Sequence, residues 1–258
     1  MTERYLDSIP LSRLIVVAES AARRAGDLLK EGFYHYKTIR QKSSYHDVVT
    51  QFDTASEVLI LETIQKEFPS HAFITEESGI LGDIDTAITW IIDPIDGTWN
   101  FSRQIPSFSI SIAVTFQGDV HLGVIYNPLV NEWFIAEKGQ GAHMNGTPIA
   151  ISPVPQLQEA GISASLRLLD RLAPHCGVLR RCGSAALDTC YVAKGGIEAL
   201  VEHSLSPWDI AAGKLIVEEA GGIVTTLDNK PLSLTKPQSI LVATPRIHPQ
   251  ILELLHGN

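Results

Sequence analysis

Asp93-Pro94-Ile95-Asp96-Gly97-Thr98 concentrates more potential chemistry than any other stretch of the chain. The apolar run Trp90-Ile91-Ile92 just before it reads as a buried strand. Asp-Pro and Asp-Gly both favour turns, which predicts a sharp turn where that strand ends. Such a turn crowds together two carboxylates, the free carbonyl of Ile95 and the Thr98 hydroxyl. Carboxylates this close raise each other's pKa unless a cation sits between them. An oxygen-only ligand set suits a hard ion such as Mg²⁺. A tight turn whose Asp side chains bond only the local backbone is the plainer alternative for an isolated D-P-x-D-G.

Three further acidic segments stand at predicted strand ends and helix starts. Asp47-Val48-Val49-Thr50-Gln51-Phe52-Asp53 precedes a helix that Asp53 would cap. Glu76-Glu77 follows a short strand, where two solvated charges would also be ordinary. Ser206-Pro207-Trp208-Asp209 opens another helix, with Asp209 placed as a capping-box carboxylate. Each segment has a structural explanation singly; together they predict a joint metal site. Two hard cations about 3.5–4 Å apart can activate a water and stabilise the leaving oxygen of an in-line phosphoryl displacement. That leaves positioning and charge neutralisation to the protein. Gly183-Ser184-Ala185 opens one more helix, whose free N–H groups are candidates to hold an anion.

The elements that must position these groups can be traced by periodicity. Ser12 to about Phe33 reads as an amphipathic helix through Leu14, Val17, Ala18, Ala21, Ala25, Leu28 and Leu29. Residues 37–52 break that period and read as a loop around Lys42-Ser43-Ser44. Asp53 to Phe68 reads as a second helix, with Val58, Leu61, Ile64 and Phe68 on one face and Pro69 stopping it. His71–Ile74 is a strand candidate. From Phe108 to Ile149 the period becomes two, with turns at Gln117-Gly118-Asp119 and Asn145-Gly146, which predicts an antiparallel meander. After Pro155, short strands (162–163, 178–182, 197–201, 223–227 and 240–243) alternate with helices (184–194, 207–220 and 247–255), an α/β layout. The expected division is an N-terminal α+β half, residues 1–148, carrying the main metal site, and a C-terminal α/β half, residues 149–258, completing it.

Composition narrows the classes. A chain of 258 residues with 45% apolar content supports a full hydrophobic core. Its net charge of −9 is poorly suited to binding a nucleic-acid backbone, which needs a basic footprint. Cys176, Cys182 and Cys190 are odd in number and form no C-x-x-C, so neither a disulfide framework nor a zinc site is expected, and a reducing cytoplasm is. Acids in the first residues argue against a signal peptide, and no run approaches a membrane span.

With these residues in view, the chain resembles the inositol monophosphatase family of Mg²⁺-dependent, lithium-sensitive phosphatases. The resemblance rests on Lys42-Ser43-Ser44 with Asp47 through Asp53, on Phe73-Ile74-Thr75-Glu76-Glu77-Ser78, and on Trp90 through Phe101 with its Asp93-Pro-Ile-Asp96-Gly-Thr98 core. It continues through Gly183-Ser184-Ala185-Ala186-Leu187-Asp188, Pro207-Trp208-Asp209 through Gly213, and Glu219 through Gly222. It implies a layered αβαβα sandwich, a homodimer, and two or three Mg²⁺ per active site held by Glu76, Asp93, the Ile95 carbonyl, Asp96 and Asp209. It also implies that Glu76 and Thr98 orient the attacking water, with Asp53 polarising Thr98, while the amides of Gly97 and Thr98 hold the phosphate. Asp96, Asp209, Gly183, Ser184 and Ala185 would also face the substrate. Glu202 falls where inositol-selective members bind sugar hydroxyls; a surface Glu at a strand end is the alternative. Trp99 departs from the small residue more usual at its position. The implied reaction is hydrolysis of a small phosphorylated polyol or sugar, inositol monophosphate first. Relatives cleave histidinol phosphate, fructose bisphosphate, NADP or nucleotide 3′-phosphates, and Asn100-Phe101 argues against the nucleotide branch. Some bacterial relatives act instead as partners of transcription complexes.

Overall fold

The computed structural model describes residues 10–41, 48–85 and 88–257. Helix α1 (Leu11–Gly32) buries Leu14, Val17, Ala18, Ala21, Ala25 and Leu29, the face that the periodicity marks. Part of the stretch read as a loop is a ribbon: β1 (Ile39–Gln41) pairs antiparallel with β2 (Val48–Thr50). Lys42-Ser43-Ser44 and Asp47 lie outside the described residues.

Helix α2 runs over Gln51–Glu67, and its N-cap is Thr50 rather than Asp53. Thr50 is extended and accepts from the Phe52 N–H at 3.1 Å, while Asp53 reaches back to the Thr50 N–H at 2.8 Å. The acid therefore completes a capping box one turn inside the helix. Val58, expected on the buried face, is 47% exposed. The buried face carries Asp53, Ser56, Glu57, Ile60 and Ile64 instead, at helical spacing.

Strands β3 (Ala72–Thr75), β4 (Gly79–Leu81), β5 (Thr89–Asp96), β6 (Ser109–Phe116), β7 (Asp119–Asn127), β8 (Glu132–Glu137), β9 (Ala142–Met144) and β10 (Thr147–Pro148) make one sheet, interrupted in sequence by the short helix α3 (Thr98–Ser102). The sheet order is β10-β9-β8-β7-β6-β5-β3-β4, so β6 to β10 form the expected meander, with Asn145-Gly146 turning β9 into β10. Among the described strands, only β3 and β5 pair in parallel within it. The remaining chain supplies β11 (Gly161–Ala164), α4 (Leu169–Leu172), β12 (Val178–Arg180), α5 (Ala185–Ala193), β13 (Ala199–Leu205), α6 (Pro207–Glu219), β14 (Ile223–Thr225), β15 (Gln238–Ala243) and α7 (His248–His256). Its strands form a second, mixed sheet in the order β12-β11-β13-β15-β14.

Strand alternation builds the layers. On β5, Trp90 and Ile92 enter a core with α1 and α2, whereas Ile91 enters a second core with α5 and α6. On β15, Ile240 and Val242 join that second core, whereas Leu241 and Ala243 face a third with Ile251 and Leu255 of α7. Helices, sheet, helices, sheet and helix follow one another, which is the αβαβα sandwich.

The middle layer presses closely on the first sheet at Gly123 of β7. A Cβ there would come within 2.5 Å of the Ala212 carbonyl oxygen on α6. Gly123→Ala is expected to destabilise the protein by about 1–3 kcal/mol, seen as a lower urea midpoint at unchanged slope. Gly161→Ala is the control, since its Cβ would meet nothing nearer than 3.5 Å. Equal midpoints for the two variants would mean that α6 can lift off the sheet without penalty.

Candidate active site

The strand before the acidic turn does not stop at Ile92. β5 continues to Asp96, with its register against β6 shifting between Asp93 and Asp96. Pro94 offers no N–H to the ladder, and the Ile95 N–H turns to Asp93 Oδ1 at 3.0 Å instead. The expected sharp turn comes one residue after the strand, at Gly97, whose φ of +95° is left-handed. A Cβ at Gly97 would lie 3.0 Å from the Ser107 carbonyl oxygen and 3.2 Å from that of Gly183. Only glycine meets both demands.

The bulge and turn bring carboxylates from distant segments together. One carboxylate oxygen from each of Asp93, Asp96 and Asp209 lies within 4.8 Å of the others. Asp93 and Asp96 are buried. They line a pocket of about 190 Å³ together with Glu76, Ile95, Gly97, Thr98 and Gly183, and with Val48 and Trp99 at its sides. Among the described lining residues there is no Lys or Arg. Burial drives Asp93 well above the usual carboxylate range, and Glu76, Asp96 and Asp209 push it further. Burial and then the Asp96 charge raise Asp209 to about 8. Asp96 rises to about 6, again through burial, because hydrogen bonds hold it back.

Those bonds come from the start of α5. Asp96 accepts from the Ala185 N–H at 3.2 Å, from the Ala186 N–H at 3.0 Å and from the Ser184 hydroxyl. The anion at this helix N-terminus is thus Asp96 itself. Gly183-Ser184-Ala185 positions a cluster carboxylate, and Gly183 alone of the three lines the pocket. Asp209 sits in the first turn of α6, where its Oδ2 accepts from the Ser206 N–H at 2.7 Å.

Asp53 and Thr98 form the second expected unit. The Thr98 hydroxyl lies 2.6 Å from Asp53 Oδ1 and 2.9 Å from the Ile95 carbonyl oxygen. The Thr50 hydroxyl donates to the other Asp53 oxygen at 2.7 Å. Burial raises Asp53 to about 6 against these bonds.

Glu202 lies apart from the cluster, half-buried on β13 and absent from the pocket lining. Burial raises it to about 6, and the Arg181 charge pulls it down.

Two residues that hold the site, Ser56 and Glu57, were not singled out by motif. Ser56 donates to the Pro94 carbonyl oxygen at 3.0 Å and so anchors the bulge. Glu57, also buried, accepts from the Glu77 N–H at 2.9 Å and from the Ser78 hydroxyl, which ties down the loop carrying Glu76. The signal was available: Ser56 and Glu57 stand three and four residues after Asp53, on its helix face. Asn100 bridges the halves of the site by donating to the Ser107 and Cys182 carbonyls at 2.7 and 2.8 Å.

A larger groove of about 770 Å³ lies between α1, α2 and the β1–β2 ribbon, lined by residues such as Leu28, Val49, Val58 and Leu59. Among the described residues it holds no carboxylate cluster, so the donor set rather than volume marks the smaller pocket as the site.

The acidic oxygens fit a hard divalent cation: they are close, buried or half-buried, mutually repelling and, among the described lining residues, unaccompanied by Lys or Arg. Comparison with known proteins bears on the family. Residues 10–258 match the model of the Inositol monophosphatase family. A protein of Pasteurella multocida named Nus factor SuhB is 38% identical over 255 residues, spanning 94% of this chain and 95% of the relative. The solved structure of the Thermotoga maritima IMPase is 35% identical with a TM-score of 0.87, covering 95% of this chain and 96% of that one. A structure described as an IMPase/NADP phosphatase complexed with Mg²⁺ and phosphate is 27% identical with a TM-score of 0.88, covering 96% and 95%. By the near-complete family match and these identities, the chain belongs to the inositol monophosphatase family.

Proposed function

We propose that this protein is a Mg²⁺-dependent phosphomonoesterase that hydrolyses inositol monophosphate to inositol and phosphate. The observation that carries the reading is the set of three carboxylates within 4.8 Å beside Glu76 and the Thr98–Asp53 pair. Glu76, Asp93, the Ile95 carbonyl, Asp96 and Asp209 would hold two or three Mg²⁺ ions, which supply Lewis-acid activation of water and of the leaving oxygen when bound. A relative's structure with Mg²⁺ and phosphate supports that ion.

The chain's own groups then do the positioning. With its proton donated to Asp53, the Thr98 hydroxyl has lone pairs free to accept from a water. Glu76 accepts the second hydrogen, so the water oxygen is turned toward phosphorus. The Gly97 and Thr98 amides, after the turn, are candidates for the phosphate oxygens. Histidinol phosphate, fructose 1,6-bisphosphate and NADP are the competing substrates within the family. A role as partner of a transcription complex is a second reading, favoured by the name of the Pasteurella relative. A homodimer, lithium sensitivity and a cytoplasmic setting belong to the same proposal. Among the described residues no helix is long and apolar enough to cross a membrane.

Activity against a panel of phosphate esters, with and without Mg²⁺, tests the reaction. Within it, Thr98→Ala is expected to lower kcat by roughly 10²–10³ with a much smaller change in KM, the loss of one preorganised polar contact. A pure KM effect would reassign Thr98 to substrate binding. Glu202→Ala is expected to lower kcat/KM for inositol monophosphate relative to glycerol 2-phosphate by about two- to tenfold, the worth of one hydrogen bond to a neutral group. An unmoved ratio would make Glu202 a surface residue and remove the support it lends to inositol.

A further inference from the structure

The pocket that holds the carboxylates is small. At about 190 Å³ it falls below the roughly 300–1,000 Å³ of sites that enclose a small molecule. A phosphate and its cations would take up much of that volume, so the alcohol half of an ester would lie toward the exposed lining residues. Val48, Ile95 and Trp99 are the apolar residues in the pocket's described lining, and of the three only Trp99 is exposed. Trp99 is 42% exposed, whereas Trp90 and Trp133 are buried and Trp208 is half-buried. The Arg103 guanidinium carbon stands 5.3 Å from the Trp99 ring centroid. A large aromatic side chain that is part of a polar pocket's lining and 42% exposed is a surface for stacking.

We propose that Trp99 is a stacking platform that admits, beside an inositol ring held through its hydroxyls, phosphomonoesters whose alcohol carries a flat ring next to the ester oxygen. The inference rests on the phosphomonoesterase reading and names a substrate class for it. Planarity is what the indole reads. An aromatic alcohol gains over a puckered one of equal size, because a flat face makes closer contact and its edge hydrogens meet the ring quadrupole favourably.

Benzyl phosphate and cyclohexylmethyl phosphate separate planarity from bulk. Their kcat/KM ratio is measured in the wild type, in Trp99→Leu, which keeps apolar volume, and in Trp99→Phe, which keeps a ring. The ratio is expected to favour benzyl phosphate in the wild type, to fall by about three- to tenfold in the Leu variant and to be largely kept in the Phe variant. A ratio unchanged in Trp99→Leu overturns the proposal. A second arm needs no turnover: benzylphosphonate with Mg²⁺ should shield the exposed tryptophan emission of the wild type from acrylamide and leave the quenching of Trp99→Leu unchanged. If the wild type hydrolyses no ester, the phosphomonoesterase reading fails and shielding alone decides: shielding supports the platform, and its absence overturns it.

Discussion

Repulsion among buried carboxylates is the constraint around which the rest of the structure is arranged. Asp93, Asp96 and Asp209 bring oxygens within 4.8 Å of one another, where burial and like charge both oppose ionisation. The fold offers partial relief. The start of α5 gives Asp96 two amides and a hydroxyl, and the start of α6 gives Asp209 one amide. Asp93, at the bulge, is pushed well above the usual carboxylate range by burial and by its acidic neighbours. In the metal-free protein these acids hold protons that the unfolded chain would have lost. Their raised pKa values therefore stabilise the metal-free fold at low pH, and that stability is lost as pH rises from about 4, the usual carboxylate value, toward the value of about 8 of Asp209. A divalent cation reverses the sign by making the charged forms the favoured ones.

The layers exist to hold these groups in register. Asp93 and Asp96 stand on an interior strand of the first sheet, Glu76 just past the end of its parallel neighbour, and Asp209 on a helix wedged between the sheets. Each backbone is fixed by apolar packing on both faces, so carboxylates far apart in sequence meet without loops of uncertain course. Buried polar residues finish the fit. Ser56 and Glu57 of α2 hold the bulge and the Glu76 loop, and Asn100 ties the turn to the segment before α5.

What could be read in advance depended on how local the physics was. The meander and the Asn145-Gly146 hairpin were readable because alternation and turn chemistry act over a few residues. So was the Ser206-Pro207-Trp208-Asp209 helix start. The start of α2 was misplaced because Thr50 and Asp53 are both good caps, and only their reciprocal bonds decide between them. The strand through Pro94 was cut short because a proline in a strand reads as its end, whereas here the lost N–H is absorbed by a bulge. The use of the Ser184 and Ala185 donors depends on Asp96, far away in the chain, and no local pattern reveals it. Val58 lost its place in the core because polar residues on α2 had taken the buried face for the site.

The most direct test of the metal site is calorimetric titration of Mg²⁺ into chelator-treated protein, at pH 6.5 and at pH 9, in buffers of different ionisation heat. With the cluster as the binding site, binding saturates at pH 6.5 and releases on the order of one proton, most of which is gone by pH 9. Asp93→Asn should weaken binding strongly while the protein keeps its circular dichroism spectrum. Saturable binding with no proton released at either pH, or equal binding by the Asn variant, would contradict a site built on these buried acids.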